Sequence, residues 1–198
     1  SDGRVLAVSD TDNNRVLIWN TIPQSNNVLP DVVLGQPDFT RSIPNDGGGI
    51  KPSNRSFRGP QGIWIQAGKL FVADSGNNRI LIWNSIPTSN FAPANVVVGA
   101  PSFDIAVQPD LTKTTLDPQA NTMLTPVSVT SDGQRMYVAD LGHNRVLIWN
   151  TMPASFSRTS VRRSHSVLQQ ARHRSPSTTK ARPSSPGTRR TAPRSATR

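Results

Sequence analysis

The residues best suited to chemistry are three aspartates, each of which opens a short polar turn that ends in arginine. Asp10, Asp74 and Asp140 are spaced by 64 and 66 residues, and each belongs to the pattern Asp-x-x-Asn/His-Asn-Arg. An aspartate can act as a general base or a metal ligand, but either role needs further reactive groups beside it. A residue set that recurs in every unit more often builds the unit. We therefore interpret the turns as structural.

The expected roles within the turn follow from residue type. The Asp accepts hydrogen bonds from turn amides, the last Asn adopts left-handed backbone geometry, and the Arg pairs with the Asp of its own or a neighbouring turn. The structural turn residues predicted in this way are Asp10, Asn14, Asp74, Asn78, Asp140 and Asn144.

Groups that could complete an active site are scarce before the basic C-terminal region. The whole chain lacks Glu and Cys, and residues 1–156 contain one histidine, His143. His143 stands where the other turns have Asn13 and Asn77, so we interpret it as a substitute for a turn Asn rather than a ligand. The sequence predicts no catalytic residue, no cofactor or cofactor-binding residue and no metal ligand. It leaves enzymatic activity uncertain and leans against it.

Short apolar stretches on both sides of each turn must position these residues. In the middle unit they predict four strands, near residues 62–66, 70–73, 79–83 and 95–98. The two central stretches are apolar on both faces instead of alternating between apolar and polar residues, which is typical of a sheet buried on both faces. Tryptophan recurs in the third strand of each unit, which indicates a layer of packing between successive sheets. These tryptophans are Trp19, Trp83 and Trp149.

The strands belong to an internal repeat. Residues 6–23, 70–87 and 136–153 match one another along their length, and Gly35-Gln36-Pro37-Asp38-Phe39 recurs as Gly99 to Phe103. The pattern from Pro60 to Ile80 resembles the NHL repeat. That resemblance implies a β-propeller, in which four-stranded blades pack around a central channel. The Gly-Gln-Pro-Asp-Phe variant is similar to bacterial NHL-repeat proteins, many of them exported, which favours a secreted or cell-envelope location.

The repeat also defines the expected domains. An all-β, incomplete propeller of about two and a half blades is predicted over residues 1–155, with units near 1–58, 59–123 and 124–155. Ser1-Asp2-Gly3 aligns with residues 131–133, so the sequence is expected to enter its first unit after that unit's first strand. A closed propeller has about 4–8 blades, so we interpret the chain as a fragment. Its uncovered sheet faces are expected to favour association.

Charge separates the C-terminal region from the repeats. Residues 1–156 contain 11 Lys and Arg against 12 Asp, whereas residues 157–198 contain 11 Lys and Arg and no acid. A basic, Arg/Ser/Pro-rich tail is therefore predicted at 156–198. Three readings of it stay open: a disordered tail, a segment translated in a shifted frame, or an arm for non-specific binding to nucleic acid or another anionic surface. No apolar run reaches membrane-spanning length.

The turns and the loops after the fourth strands are expected on one face of a propeller, which is where a ligand would bind. The candidate residues there are the arginines, expected to be exposed, and three loop residues: Arg15, Arg79, Arg145, Gln36, Asp38 and Phe39. The main hypothesis is a non-catalytic binding scaffold for an unknown protein or glycan. One alternative is part of a propeller hydrolase or lyase whose metal site lies in missing blades. The other is an RNA-binding NHL propeller, which the nearly neutral charge of residues 1–156 does not favour.

Overall fold

In a computed structural model of the chain, three antiparallel sheets follow one another along the sequence. The structure describes residues 1–47, 51–108 and 118–153, together with the backbone of a short strand at 162–163. The chain divides into Ser1–His165 and Ser166–Arg198, and the second part lies outside the described residues. The prediction of an all-β fold is confirmed. No helix in the described ranges is long and apolar enough to cross a membrane.

Neighbouring strands in each sheet are consecutive in sequence. The first sheet consists of β1 (Leu6–Asp10), β2 (Arg15–Trp19) and β3 (Val32–Leu34). The second consists of β4 (Pro60–Gln66), β5 (Lys69–Asp74), β6 (Arg79–Trp83) and β7 (Val96–Val98). The third consists of β8 (Pro126–Ser131), β9 (Met136–Asp140), β10 (Arg145–Trp149) and β11 (Arg162–Arg163). Single-turn 3-10 helices lie at Pro44–Asp46, Ser75–Asn77 and Leu141–His143. The four strands predicted for the middle unit are present.

The strand register repeats as closely as the sequence does. In every sheet the Asp of the turn pairs across the hairpin with the Arg of the same turn. The outermost strands keep this register, because Val97 lies opposite Leu81 in the second sheet and Arg163 lies opposite Leu147 in the third. The strand β11 thus lies within the region predicted as tail. Its pairing depends on backbone groups, which any residue except proline supplies.

The core lies between the sheets in two apolar clusters. One joins the first and second sheets, and includes Val16, Ile18, Leu70 and Leu81. The other joins the second and third sheets, and it combines the remaining apolar side chains of β5 and β6 with side chains of the third sheet such as Val138 and Leu147. All five residues of β6 are buried. The second sheet is therefore covered on both faces, as its continuous apolar strands predict.

The recurrent tryptophans pack in these clusters in two units out of three. Trp83 and Trp149 are each 3% exposed and belong to the first and second clusters respectively. The ring of Trp83 lies 5.9 Å from that of Phe57, tilted by 54°. Trp19 lies on the outer face of the first sheet and is only partly buried. The predicted packing layer is confirmed for the second and third units.

The first strands of the second and third sheets approach closely at Gly62. A Cβ atom at this position would lie 2.6 Å from both the Cα of Ser128 and the carbonyl oxygen of Val127. No side chain fits that space, so glycine is required for β4 to pack against β8. This contact brings the turns of successive units close together.

Candidate functional site

The turn of the second unit is built around a buried carboxylate. Asp74 Oδ2 accepts hydrogen bonds from Arg79 Nε at 2.7 Å and Asn77 Nδ2 at 2.8 Å, and its Oδ1 accepts one from the Arg58 backbone N–H at 2.8 Å. Burial raises the pKa of Asp74, and the adjacent Arg79 guanidinium opposes that shift. Asn78 ends the turn with φ 57° and ψ 41°. The predicted pairing within one turn is confirmed.

The guanidinium of Arg79 joins the segments that enter and leave its unit. Its Nη1 donates to the Phe103 carbonyl at 2.6 Å, and its Nη2 donates to the carbonyls of Ser53 and Ser56 at 2.8 and 3.0 Å. The side chain is 0% exposed. The predicted exposure of Arg79 is wrong, because two loops distant in sequence fold over the turn. We call this set of contacts to the Asp and the loop carbonyls the arginine clasp.

Among the described residues, the first and third units make only part of this clasp. Arg15 bonds Asp10 at 2.7 Å and the Phe39 carbonyl, and its side chain is 18% exposed. Arg145 bonds Asp140 at 2.7 Å and is 11% exposed. Its Nη2 donates to two carbonyls of the segment entering the third unit, at 2.9 and 2.6 Å. Its Nη1 is buried and has no hydrogen-bond partner among the residues that the structure describes. Both arginines are more covered than predicted.

The three predicted loop residues differ in accessibility. Gln36 is 0% exposed, and its Nε2 donates to the carbonyls of Asn14 and Ile43 at 3.1 and 2.9 Å. Asp38 is about half exposed, and the hydroxyl and backbone N–H of Thr40 lower its pKa. Phe39 is 38% exposed. Asp38 and Phe39 are therefore open to solvent beside the first turn, whereas Gln36 joins two loops inside the protein.

The last Asn of each turn adopts the predicted left-handed geometry, with φ of 52° at Asn14, 57° at Asn78 and 50° at Asn144. In two turns its side chain also ties one unit to the next. Asn14 Oδ1 accepts a hydrogen bond from the Gly59 N–H at 2.9 Å, and Asn78 Oδ1 accepts one from the Thr125 N–H at 2.8 Å. These amides link each turn to the segment that begins the following sheet.

His143 occupies the position of a turn Asn, as predicted. Its Nδ1 lies 2.9 Å from Asp140 Oδ2, and Asn77 Nδ2 makes the equivalent contact with Asp74 at 2.8 Å. Within the described ranges, no three His, Cys, Asp or Glu side chains lie close enough together to hold a metal ion. The histidine thus takes part in the turn network.

An open cleft of about 410 Å³, which we call the polar cleft because most of its lining residues are of polar types, lies where the first and second turns meet the segments that begin the next sheets. Its lining includes a carboxylate, a guanidinium, an amide and three hydroxyls, from Asp12, Arg58, Gln61, Thr11, Ser75 and Thr125. The walls are held together by hydrogen bonds from Thr11 Oγ1 to the Pro60 carbonyl at 2.8 Å and from Ser75 Oγ to the Pro126 carbonyl at 2.5 Å.

None of the predicted ligand-face residues lines this cleft, although Asn14, predicted as a structural turn residue, does. The sequence signal that could have found it is the short element at the start of each first strand, Gly59-Pro60-Gln61, which recurs only weakly between units. A scan against protein-family models finds no match to the chain, and nor does a search of curated proteins. The NHL resemblance and the ligand-binding roles of Arg15, Arg145, Asp38 and Phe39 stay predictions.

Proposed function

We propose that the three sheets are successive blades of an NHL-type β-propeller and that the chain is a non-catalytic binding scaffold for a protein or glycan. The architecture supports this in two ways. The strands of each sheet are antiparallel and follow sequence order. The second sheet is also covered by the first on one face and by the third on the other. Radial stacking of four-stranded sheets in sequence order is the arrangement of propeller blades.

The observation that carries the binding function is the polar cleft. Arg58 and Asp12 are exposed, and so is Gln61, the second residue of β4. Opposite charges, an amide and hydroxyls in one concave site suit a ligand rich in both donors and acceptors, such as a sugar or a peptide backbone. The site combines these groups without a cluster of titratable side chains, so its chemistry is that of recognition.

The cleft is also preorganised by the turns beneath it. The backbone N–H of Arg58 is bound by Asp74 at 2.8 Å, and the Arg58 carbonyl accepts from the Gly76 N–H at 2.8 Å. The arginine clasp holds Asp74 in turn. A site whose backbone is already ordered loses less conformational entropy when a ligand binds. The buried turns therefore support binding without touching the ligand.

Binding of oligosaccharide and peptide panels to the full chain tests this proposal. The variant Arg58→Gln removes the cleft's cation but keeps the backbone N–H that Asp74 uses. We expect it to weaken binding of the panel members that the wild-type chain recognises by about tenfold, as loss of one charged hydrogen bond does. Lys69→Gln is the matched control, because Lys69 lies at the opposite end of β5, near Asn84. Equal affinity of wild type and Arg58→Gln, or no binding to either panel, would contradict the proposal.

A further inference from the structure

The outer face of the first sheet is apolar, although no other sheet in the described part of the chain packs against it. We call it the leading face and define it by Leu6, Val8, Leu17 and Trp19. Val8 is 40% exposed, and the other three are partly buried. The opposite side of the same sheet packs into the first apolar cluster through Val16 and Ile18.

The outer face of the third sheet is apolar in the same way. We call it the trailing face and define it by Tyr137, Ala139, Val146 and Ile148. Val146 is 44% exposed, and the other three are partly buried. The inner side of this sheet packs into the second apolar cluster, through residues such as Val138 and Leu147.

The leading and trailing faces correspond to the two sides of a contact between successive sheets that the chain already makes twice. The leading face has its equivalent in the second sheet, where the residues facing the first sheet are Leu70, Val72, Leu81 and Trp83. All four residue types are identical to those of the leading face. The trailing face has its equivalent in the residues of the second sheet that face the third, which are Phe71, Ala73, Ile80 and Ile82. Two of these four types are identical, and the other two are the conservative pairs Phe/Tyr and Ile/Val.

The internal contacts therefore show what a leading face packs against. The residues of the second sheet that are equivalent to the leading face pack against the inner side of the first sheet. The equivalent residues of the third sheet pack against the second sheet. In each case one sheet's leading face meets the preceding sheet's trailing face. A second copy of this chain has a trailing face against which the leading face of the first copy can pack. The geometry of that contact is the one already formed between successive sheets inside each copy.

We propose that two copies of this chain associate head to tail, with the leading face of each on the trailing face of the other. The contact is heterologous, since unlike patches meet, and such contacts generate rings when the rotation closes. The described residues of one copy form three sheets, so two copies supply six, which lies within the range of about 4–8 blades over which propellers close. The pair buries both apolar faces, which single soluble chains do not normally leave open.

Sedimentation of the full chain and two charge variants tests the proposal. Val8→Asp blocks the leading face and Val146→Asp blocks the trailing face, and both positions are already partly exposed, so the fold tolerates them. We expect wild type to sediment at twice the 21.5 kDa mass of one chain, and each variant alone at the single-chain mass. An equimolar mixture of the variants should recover pairs held by one of the two contacts, since the intact leading face of the Val146→Asp chain meets the intact trailing face of the Val8→Asp chain. Circular dichroism identical to wild type shows that the variants are folded.

Ile43→Asp is the matched control, because Ile43 is 51% exposed in a loop and belongs to neither face. It should sediment as wild type does. The proposal is overturned if wild type stays at the single-chain mass at every concentration, or if it grows into open polymers. It is also overturned if only one of the two variants prevents pairing, which indicates contact between like faces, or if the mixed variants do not pair.

Discussion

The second and first turns share the sequence Asp-x-x-Asn-Asn-Arg but not the same surroundings. Arg79 bonds Asp74 and three loop carbonyls and is 0% exposed, whereas Arg15 bonds Asp10 and one carbonyl and is 18% exposed. The third turn is intermediate within the described part of the chain, where Arg145 bonds two carbonyls and its Nη1 has no partner. The arginine at the same position of each turn thus has a different number of hydrogen-bond partners among the described residues.

The difference shows that the arginine clasp belongs to the stack of sheets and not to the turn alone. Its carbonyl acceptors come from the segment before the unit's first strand and from the loop after its fourth strand. Around the second turn both segments lie within the described residues, at Ser53 and Ser56 before β4 and at Phe103 after β7. The clasp therefore ties the turn of the second unit to the segments that enter and leave that unit.

The largest difference is expected when the carboxylates are neutralised. Asp74→Asn leaves the Arg79 charge buried without its counter-ion, which costs about 3–5 kcal/mol. The same change at Asp10, whose side chain is 25% exposed, should cost about 1 kcal/mol or less, since solvent screens the remaining charge. Urea unfolding at fixed protein concentration gives both values, provided that the m-value stays constant. Equal losses at the two sites would show that the surroundings do not distinguish them.

A change from Asn to Gly separates backbone geometry from side-chain bonding. Asn78→Gly keeps the left-handed backbone but loses hydrogen bonds to the Thr125 N–H and, at 2.7 Å, the Val107 carbonyl. We expect a loss of about 1–2 kcal/mol in the free energy of unfolding. Asn144→Gly should change the free energy of unfolding by less than about 0.5 kcal/mol. Glycine adopts a φ of 50° readily, and this advantage offsets the greater entropy of glycine in the unfolded state. A loss at Asn144 as large as that at Asn78 would show that geometry alone decides both.

The smallest effect is expected at the position where the turns differ in sequence. His143→Asn restores the residue of the other two turns, and the Asn amide can donate to Asp140 as Asn77 donates to Asp74. The free energy of unfolding should change by less than about 0.5 kcal/mol. His143→Ala, which removes the contact, should cost about 1 kcal/mol. Thermal or urea unfolding of both variants tests whether His143 acts as a residue of the turn.

The sequence predicted the fold well where the signal is local. Strands such as β6 are short runs of branched and aromatic residues between polar turns, and their positions follow directly. The left-handed Asn78 and the pairing of Asp74 with Arg79 are likewise set within one turn. The strand β11 was not predicted, because Arg162 and Arg163 carry no strand signal and their pairing depends on backbone groups alone.

The site was predicted less well, because it depends on contacts between distant segments. The burial of Arg79 requires the segment near Ser53 and the loop at Phe103 to fold over it, and no pattern around the turn reports that. The three arginines also look alike in sequence, so their different exposure follows only from their place in the stack. The polar cleft was missed for the same reason, since its lining residues Asp12, Ser75 and Thr125 come from three different units.

Replacement of each turn arginine by lysine tests the clasp most directly. Lysine keeps the charge near the Asp but cannot reach several carbonyls at once. We predict that the loss in free energy of unfolding falls in the order Arg79, Arg145, Arg15, from about 3–5 kcal/mol at Arg79 to below about 1 kcal/mol at Arg15. Three equal losses, or a larger loss at Arg15 than at Arg79, would contradict the account that neighbouring units complete the clasp.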